Sequence, residues 1–208
     1  MIYFITGHYG SGKSEFSLNF AIQKQIKTIV DLDIVNPYFR SRELEEMLNE
    51  HGIEMISSTI KNALGSDLPY ISPKAFLPFY SSADALYDIG GNDVGAKILR
   101  QFKDEATMYM VVNVFRQETD SKDNIIKMKN RIEGSSGYKV KGFINNSNLL
   151  RDTTKEDILY GERIIKEVSD VTGIPIVYTS FYETIDIKQE DVLGELIPLK
   201  LYLRKHWL

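Results

Sequence analysis

A glycine-rich stretch near the start of the sequence has the spacing of a phosphate-binding loop. Residues 7 to 14 read Gly-His-Tyr-Gly-Ser-Gly-Lys-Ser and fit the pattern G-x-x-x-x-G-K-[ST] in full. Glycines let such a loop curl around a phosphate, and the free amides of the following helix attract anions. Lys13 supplies positive charge to the β- and γ-phosphates, which makes it a catalytic candidate, and the Ser14 hydroxyl can ligate Mg²⁺. The predicted nucleotide-binding residues are Gly7, His8, Tyr9, Gly10, Ser11, Gly12, Lys13, Ser14 and Glu15.

Carboxylates at the ends of two predicted strands are candidates for a metal-nucleotide site. Asp33 closes the second predicted strand, in Val-Asp-Leu-Asp, and Asp88 closes a later one, in Leu-Tyr-Asp-Ile-Gly-Gly. In α/β sheets such residues lie at the carboxyl ends of strands, where ligands bind. Asp88 and Gly91 also form D-x-x-G, in which the glycine amide can contact the γ-phosphate and the next helix can move when that phosphate leaves. We predict Ser14, Asp33 and Asp88 around the metal, with a helix cap or loop residue as the alternative for each aspartate.

Asparagines after a later strand give a hypothesis about the base. Residues 143–148 read Phe-Ile-Asn-Asn-Ser-Asn, in a place where many nucleotide-binding proteins read the base. Guanine readers use N-K-x-D, whose carboxylate accepts two donors, whereas Asn148 offers a weaker, uncharged acceptor. An asparagine amide can pair with adenine instead. The sequence therefore favours ATP over GTP, with Asn145 or Asn146 as the reader.

The elements that must position these residues alternate along the chain. Apolar runs rich in Ile, Val, Tyr and Phe predict strands, and amphipathic stretches between them predict helices, which is typical of βαβ units. We predict one α/β domain over residues 1–208, a three-layer P-loop NTPase with a mostly parallel, helix-covered sheet. The predicted strands are Ile2–Thr6, Lys27–Leu32, Ile53–Ser57, Ala83–Ile89, Thr107–Val114, Lys139–Asn145 and Ile174–Thr179. The predicted helices are Lys13–Gln25, Pro37–Glu50, Asp93–Phe102, Ser121–Ile132 and Thr154–Thr172, the last opening with a capping box of Thr153 and Glu156.

Composition excludes several other classes of protein. The 208 residues carry a net charge of -4, which gives no electrostatic case for nucleic-acid binding. There is no cysteine, which excludes disulfides, zinc ribbons and a thiol nucleophile and fits a reducing compartment. No stretch approaches the roughly 20 apolar residues of a spanning helix, and the first six residues lack the basic leader of a signal peptide. We expect a cytoplasmic protein without a transmembrane segment.

The motifs together resemble a known class. The loop, the D-x-D after the second strand and the D-x-x-G look like the MinD/ParA/CobQ-type nucleotide-binding proteins of the SIMIBI class of P-loop NTPases, and within it a group of predicted bacterial ATP-binding proteins. The resemblance implies ATP and Mg²⁺ as ligands, slow hydrolysis, and often a homodimer with nucleotide at its interface. It also implies that Asp33 orients or activates the attacking water. His8 stands where many of these relatives carry a second, signature lysine, and a neutral imidazole cannot supply that fixed charge.

Three functions are compatible with these motifs. The first is a Mg-ATP-dependent switch, a probable ATPase, whose D-x-x-G loop signals the phosphate state to a partner protein. The second is a small-molecule kinase or ATP-dependent ligase that transfers the γ-phosphoryl group, and the third is a nucleotide-sensing scaffold without turnover. ATP consumption without an added acceptor would favour the first.

Other segments carry weaker signals. Arg40, Arg42 and Arg116 follow strand ends, where they either approach a phosphate or belong to a solvated surface. Residues 57–82 contain three prolines and form either a lid or partner surface or a long connection with short helical turns. The stretch Ile197–Leu203 and the basic, aromatic residues after it are interpreted as a docked C-terminal segment, with a membrane-surface tail as the alternative.

Overall fold

Strands and helices alternate along the chain as predicted. The structure, a computed structural model, describes residues 1–33, 42–57, 71–91, 93–102 and 105–203. Within these residues there are eight strands. They are β1 Ile2–Gly7, β2 Thr28–Leu32, β3 Glu54–Ser57, β4 Ala85–Ile89, β5 Thr107–Val112, β6 Val140–Asn145, β7 Ile176–Tyr182 and β8 Glu195–Leu199.

The strands form one sheet in which every neighbouring pair is parallel. Their order is β3-β2-β4-β1-β5-β6-β7-β8, which places β1 in the interior between β4 and β5. β1, β2, β4, β5 and β6 are mostly buried on both faces, as parallel strands covered by helices must be. The expected α/β fold is confirmed. β8 was not among the predicted strands, and it extends the sheet at one edge.

Five helices connect the strands in the described residues: α1 Lys13–Gln23, α2 Arg42–Glu50, α3 Asp93–Ala96, α4 Lys122–Ser136 and α5 Lys155–Thr172. The N-cap of α4 is Ser121, whose side chain accepts a hydrogen bond from the Asn124 amide, and Gly137 ends that helix. α4 therefore runs four residues beyond the predicted end at Ile132. The predicted start of α2 at Pro37 lies outside the described residues.

The structure differs from two of the helix predictions. The capping box of α5 is formed by Thr154 and Asp157, one residue later than the predicted pair. Thr153 instead accepts from the Leu149 amide at 2.9 Å and shapes the turn before the helix. The predicted helix Asp93–Phe102 consists of the four-residue α3 followed by a 3-10 helix over Lys97–Gln101. A 3-10 helix differs from an α-helix in its tighter turns. The spacing of apolar residues over so short a segment did not distinguish α3 from the 3-10 helix that follows it.

The helices form a layer on each face of the sheet, and each layer has its own apolar core. One core joins α1 and α2 to the sheet through Phe16, Leu48 and Ile5, among others. The other joins α3, α4 and α5 to the opposite face through side chains such as Ile125 and Val168. This arrangement confirms the predicted three layers.

The described half of the 57–82 segment packs against the second core. Residues Pro73–Tyr80 form a 3-10 helix whose buried Ala75 accepts a hydrogen bond from the Tyr87 hydroxyl at 2.7 Å. Phe76 and Phe79 stack on Phe102 with ring centroids 4.7 and 5.3 Å away. For residues 71–82 the structure agrees with a connection made of short helical turns.

Candidate functional site

The predicted site residues meet at one rim of the sheet. Ile5 of β1 pairs with Asp88 of β4, and Gly7 pairs with Val111 of β5. Asp31 of β2 also pairs with Asp88. The carboxyl ends of β1, β2 and β4 therefore lie side by side, and the loop after Gly7 begins next to β4, which carries the D-x-x-G motif.

A cavity of 470 Å³ opens at this rim. The phosphate-binding loop lines part of it, and the rest is lined by the segment after β6, the end of β7 and three leucines of residues 199–203, among others. Of the predicted residues, Gly7, Ser11, Asp88, Gly91 and Asn145 are buried near the cavity. Those that line it are His8, Tyr9, Gly10, Gly12, Lys13, Ser14, Glu15, Asp33 and Asn146.

Two positions, one in the loop and one packed against it, have no room for a side chain. Gly12 caps α1 with φ 84°, a left-handed conformation, and a Cβ there would lie 2.2 Å from Asn146 Nδ2. A Cβ on Gly91 would lie 2.7 Å from the Tyr9 backbone and 2.9 Å from Lys13 Nζ. The glycine of the D-x-x-G motif is thus packed directly against the phosphate-binding loop.

Lys13 is held inside the loop together with two carboxylates. Its Nζ donates to the His8 carbonyl at 3.1 Å, and only 5% of the residue is exposed. Burial lowers the pKa of the Lys13 ammonium, while the negative charges of Asp88 and Asp33 act in the opposite direction. The ammonium is therefore near both carboxylates that the sequence assigned to the metal.

Asp88 bonds to the hydroxyl that is predicted to ligate Mg²⁺. Ser14 Oγ donates to Asp88 Oδ2 at 2.5 Å, and Ser17 Oγ donates to Asp88 Oδ1 at 3.1 Å. Burial raises the pKa of the fully buried Asp88 to about 6, although Lys13 and the two hydroxyls favour the ionised form. A cation beside Ser14 would reverse this burial effect.

The raised pKa of Asp88 predicts a pH-dependent stability in metal-free buffer. A carboxyl whose folded-state pKa is raised stabilises the fold below its unfolded-state pKa, and this contribution is lost as pH rises through the folded-state value. The free energy of unfolding should fall by up to roughly 3 kcal/mol between about pH 4 and pH 6. Denaturant titrations with EDTA should show this component in the wild type and not in Asp88→Asn. Parallel pH profiles would contradict the assignment.

Asp33 lies on the cavity beside the end of β4. Its amide donates to Asp31 Oδ1 at 2.9 Å, so the first aspartate of D-x-D shapes the turn that presents the second. A Cβ on Gly90 would lie 3.3 Å from Asp33 Oδ1, which places this carboxylate against the D-x-x-G segment. The Asp33 carboxylate therefore lies beside the D-x-x-G segment at the cavity.

The residues present fit Mg²⁺ bound together with phosphates and water. Within the described ranges, no group of three His, Asp or Glu side chains could hold a metal by itself. Mg²⁺ commonly keeps several waters and takes one or two protein ligands plus phosphate oxygens. Ser14 can supply a direct oxygen, with the Asp88 carboxylate bonded to it.

The three predicted base-side asparagines occupy different positions. Asn145 is fully buried, and its Nδ2 donates to the Ile158 carbonyl and to Glu162 Oε2. Asn146 lines the cavity, and its Nδ2 donates to the Ser11 carbonyl at 2.7 Å. Asn148 also lines the cavity and bonds to the Asn146 carbonyl. Asn145 thus supports the rim from inside, while the other two face the cavity.

The sequence did not identify how α1 holds the last described residues. Glu15, Asn19 and Gln23 lie one turn apart on α1 and bind the backbone of residues 198–203. The Glu15 carboxylate accepts from Tyr202 N at 2.5 Å and from Leu203 N at 3.2 Å. Its carboxylate therefore binds protein backbone, and a contact with nucleotide would come from the Glu15 backbone. The four-residue spacing of these polar side chains was the available signal.

The segment after β5 contacts the outside of the loop. Arg116 Nε donates to the Gly10 carbonyl at 3.0 Å, and Glu118 Oε2 lies 3.6 Å from His8 Nε2. Burial lowers the pKa of the His8 imidazole, with Glu118 acting in the opposite direction. The structure thus brings Arg116 to the cavity, whereas Arg40 and the Arg42 side chain lie outside what it describes.

Comparisons with known proteins agree with this geometry. No family model matches the chain, and no curated protein does. Among solved structures, the cell division protein FtsY of Thermotoga maritima aligns with 97% of this chain and 65% of its own at 15% identity, with a TM-score of 0.57. The chain therefore has the same overall fold as this FtsY. A second solved structure, the signal recognition particle 54 kDa protein of Aeropyrum pernix in complex with GDP, aligns at 14% identity with a TM-score of 0.52.

The structural alignments cover most of this chain but only part of each matched protein. The Aeropyrum pernix protein is matched over 99% of this chain and 44% of its own length. Chloroplast FtsY of Physcomitrella patens is matched over 86% and 57% at 17% identity, with a TM-score of 0.50. The chain therefore spans less than two thirds of these proteins. In the described residues, no helix is both long and apolar enough to cross a membrane.

Proposed function

We propose that this chain is a Mg-ATP-binding, slowly hydrolysing switch that acts on a partner protein. The observation that carries the proposal is the hydrogen bond of Ser14 to Asp88 beside the buried Lys13, at the mouth of a cavity of 470 Å³. A phosphate-binding loop with its lysine, hydroxyl and strand-end carboxylate in contact is the arrangement that binds a metal-nucleotide complex. A cytoplasmic location and a homodimer with nucleotide at its interface are further parts of the proposal.

The proposed mechanism assigns one task to each residue. Mg²⁺, when bound, would neutralise charge that develops on the phosphate oxygens. Lys13 would exchange the His8 carbonyl for a phosphate oxygen. Ser14 would hold the metal through its hydroxyl oxygen, and Asp88 would orient that hydroxyl. Asp33 accepts a hydrogen bond from the attacking water and aligns it with the γ-phosphorus.

The proposed signal passes through the D-x-x-G segment. Gly91 is packed against the Tyr9 backbone and Lys13 Nζ, so a γ-phosphate at the loop would meet its amide. A Cβ on Gly95 would lie 2.7 Å from the Gly90 carbonyl, which means that α3 packs closely on the same segment. A change at Gly91 can therefore displace α3, whose movement a partner could detect.

ATP rather than GTP is the proposed nucleotide because the cavity lacks a carboxylate at the Asn148 position. A purine would lie between the Asn146–Asn148 segment and the apolar wall of Phe181, Leu201 and Leu203. The GDP complex of the Aeropyrum pernix protein favours guanine as the alternative. At 14% identity, the similarity between the two proteins shows a shared fold and does not show which base this chain binds.

Competition binding tests the base directly. We expect ATP to bind about five- to a hundred-fold more tightly than GTP, because each lost donor–acceptor pair in a buried base site weakens binding by roughly that factor. Titration calorimetry with both nucleotides in Mg²⁺ measures the ratio. Replacement of Asn148 by Asp should shift the ratio toward GTP. Equal affinities or a GTP preference in the wild type would reject adenine.

Turnover distinguishes a switch from the other two functions. Phosphate release from Mg-ATP alone supports the switch. Release that begins only after a carboxylate- or hydroxyl-bearing compound is added supports phosphoryl transfer, and binding without release under either condition supports a nucleotide sensor. Because slow hydrolysis is expected, enzyme in excess over labelled ATP should be used.

A further inference from the structure

The phosphate end of the cavity contains more negative than positive side chains. Among the described lining residues, the cationic ones are Lys13 and Arg116. Asp33 lines the same end, Asp88 is buried beside it, and Glu118 lies nearby, next to His8. Because burial lowers the pKa of His8, its ring adds little positive charge at neutral pH. A bound triphosphate would add further negative charge to this part of the cavity. The positive charge of Arg116 is therefore needed to balance it.

The side chain of Arg116 is fixed at the turn of the phosphate-binding loop. Its Nε donates to the Gly10 carbonyl at 3.0 Å, and the residue is half-buried. Within the part of the chain that the structure describes, no carboxylate forms an ion pair with it and the guanidinium donates through Nε alone. Its two terminal nitrogens are therefore available to a ligand, and a guanidinium matches two phosphate oxygens at once.

The backbone around Arg116 is held by its neighbours. The Arg116 amide donates to the Asn113 carbonyl at 3.1 Å, and the Thr119 amide donates to the Arg116 carbonyl at 2.8 Å. The buried Thr119 hydroxyl donates to the same Asn113 carbonyl at 2.7 Å. A charged group on so ordered a turn loses less conformational entropy when it binds a ligand.

The contact at Gly10 places Arg116 next to the part of the loop that approaches the D-x-x-G segment, where the γ-phosphate is proposed to bind. The adjacent residue, Tyr9, is the one whose backbone approaches Gly91 of the D-x-x-G segment. Lys13 Nζ lies beside the same glycine. Arg116 therefore contacts the loop residue next to the one that approaches Gly91.

We propose that Arg116 is a γ-phosphate ligand that supplies, from the same chain, the second positive charge of the site. The inference rests on the proposed nucleotide-binding function and adds a residue to it. Its guanidinium keeps the Nε contact with Gly10 and donates from its terminal nitrogens to γ-phosphate oxygens. The same donors would stabilise the charge that spreads over these oxygens in the transition state.

The test compares ATP and ADP binding in three variants. Arg116→Ala should weaken Mg-ATP binding about 10- to 100-fold, the usual effect of losing a charge-assisted pair, and weaken Mg-ADP binding less than about threefold. Arg116→Lys should recover part of the ATP affinity, because it restores the charge without the fork. Arg100→Ala is the matched control, since Arg100 donates to the Ser135 and Gly134 carbonyls away from the cavity lining.

The ratio of ATP to ADP affinity decides the outcome, because a structural role would not change it. A lower ratio in Arg116→Ala, with the wild-type ratio in Arg100→Ala, supports the proposal. An unchanged ratio overturns it, whether both affinities stay at the wild-type values or both fall equally through distortion of the loop at Gly10. If the wild type binds neither nucleotide, the proposed function itself is wrong and the inference falls with it.

Discussion

Mg-ATP is expected to raise the melting temperature of the wild type, and Lys13→Ala is expected to abolish this increase. A ligand at 100 times its Kd stabilises a protein by about 2.7 kcal/mol, and this gain disappears when Kd rises far above the ligand concentration. The Lys13 ammonium is the buried positive charge of the loop, so its loss leaves a bound phosphate facing Asp33 and Asp88 without compensation. Thermal denaturation with and without Mg-ATP measures the effect.

Lys24→Ala is the matched control for this variant. Lys24 follows the other end of α1, where its Nζ binds Glu195 Oε1 at 2.7 Å and lies over the Tyr178 ring. Its loss should leave the response to nucleotide unchanged. The ligand-free Lys13→Ala protein should stay folded, because burying the ammonium is itself unfavourable. A normal Mg-ATP response in Lys13→Ala would show that the phosphates bind elsewhere.

Asp33→Asn is expected to separate binding from turnover. The amide keeps the size of the side chain but cannot accept a proton from water, so single-turnover hydrolysis should fall roughly 100-fold or more. Mg-ATP affinity should stay within about threefold of the wild type, because only an interaction made in the transition state is lost. Rapid-quench measurement with enzyme in excess gives the rate, and calorimetry gives the affinity.

Two other aspartates make this experiment specific. Asp88→Asn should also weaken Mg²⁺-dependent binding, because Asp88 bonds the metal-ligating hydroxyl of Ser14 in the ground state. Asp84→Asn should change neither quantity, because Asp84 precedes β4 at the opposite rim and pairs with the N-terminal amine. If Asp33→Asn hydrolyses ATP at the wild-type rate, the Asp33 carboxylate has a structural role only, and the sensor function is favoured.

The parts of the fold that the sequence predicted are those encoded by neighbouring residues. Seven strands and the loop from Gly7 to Ser14 follow from local apolar runs and from a motif with fixed spacing. β8 was missed because Pro198 interrupts its pattern. An edge strand tolerates a residue without an amide hydrogen, and β8 is at the edge of the sheet. Its position depends on contacts with α1, which is distant in sequence, and the four-residue spacing of polar residues on α1 does not show which segment they bind.

Residue type predicted the site better than it predicted side-chain orientation. Asn145, Asn146 and Asn148 are chemically identical, but only the tertiary structure turns the first toward Glu162 and the other two toward the cavity. Arg116 was one of three arginines after strand ends, and nothing in the sequence indicated its contact with Gly10. In both cases the deciding partner is distant in sequence, and the pattern contains no information about it.

The two rims of the sheet offer different opportunities for protein engineering. The rim opposite the cavity contains the N-terminal ends of the strands, with turns such as Gly137 after α4 and Gly173 after α5. Both glycines have open space around them, with no other atom within 4 Å of a Cβ placed there. A fluorescent label or a short affinity sequence attached near these turns would be separated from Lys13 by the full length of the strands. Binding and turnover could then be followed on a surface-immobilised or dye-labelled protein without altering the chemistry.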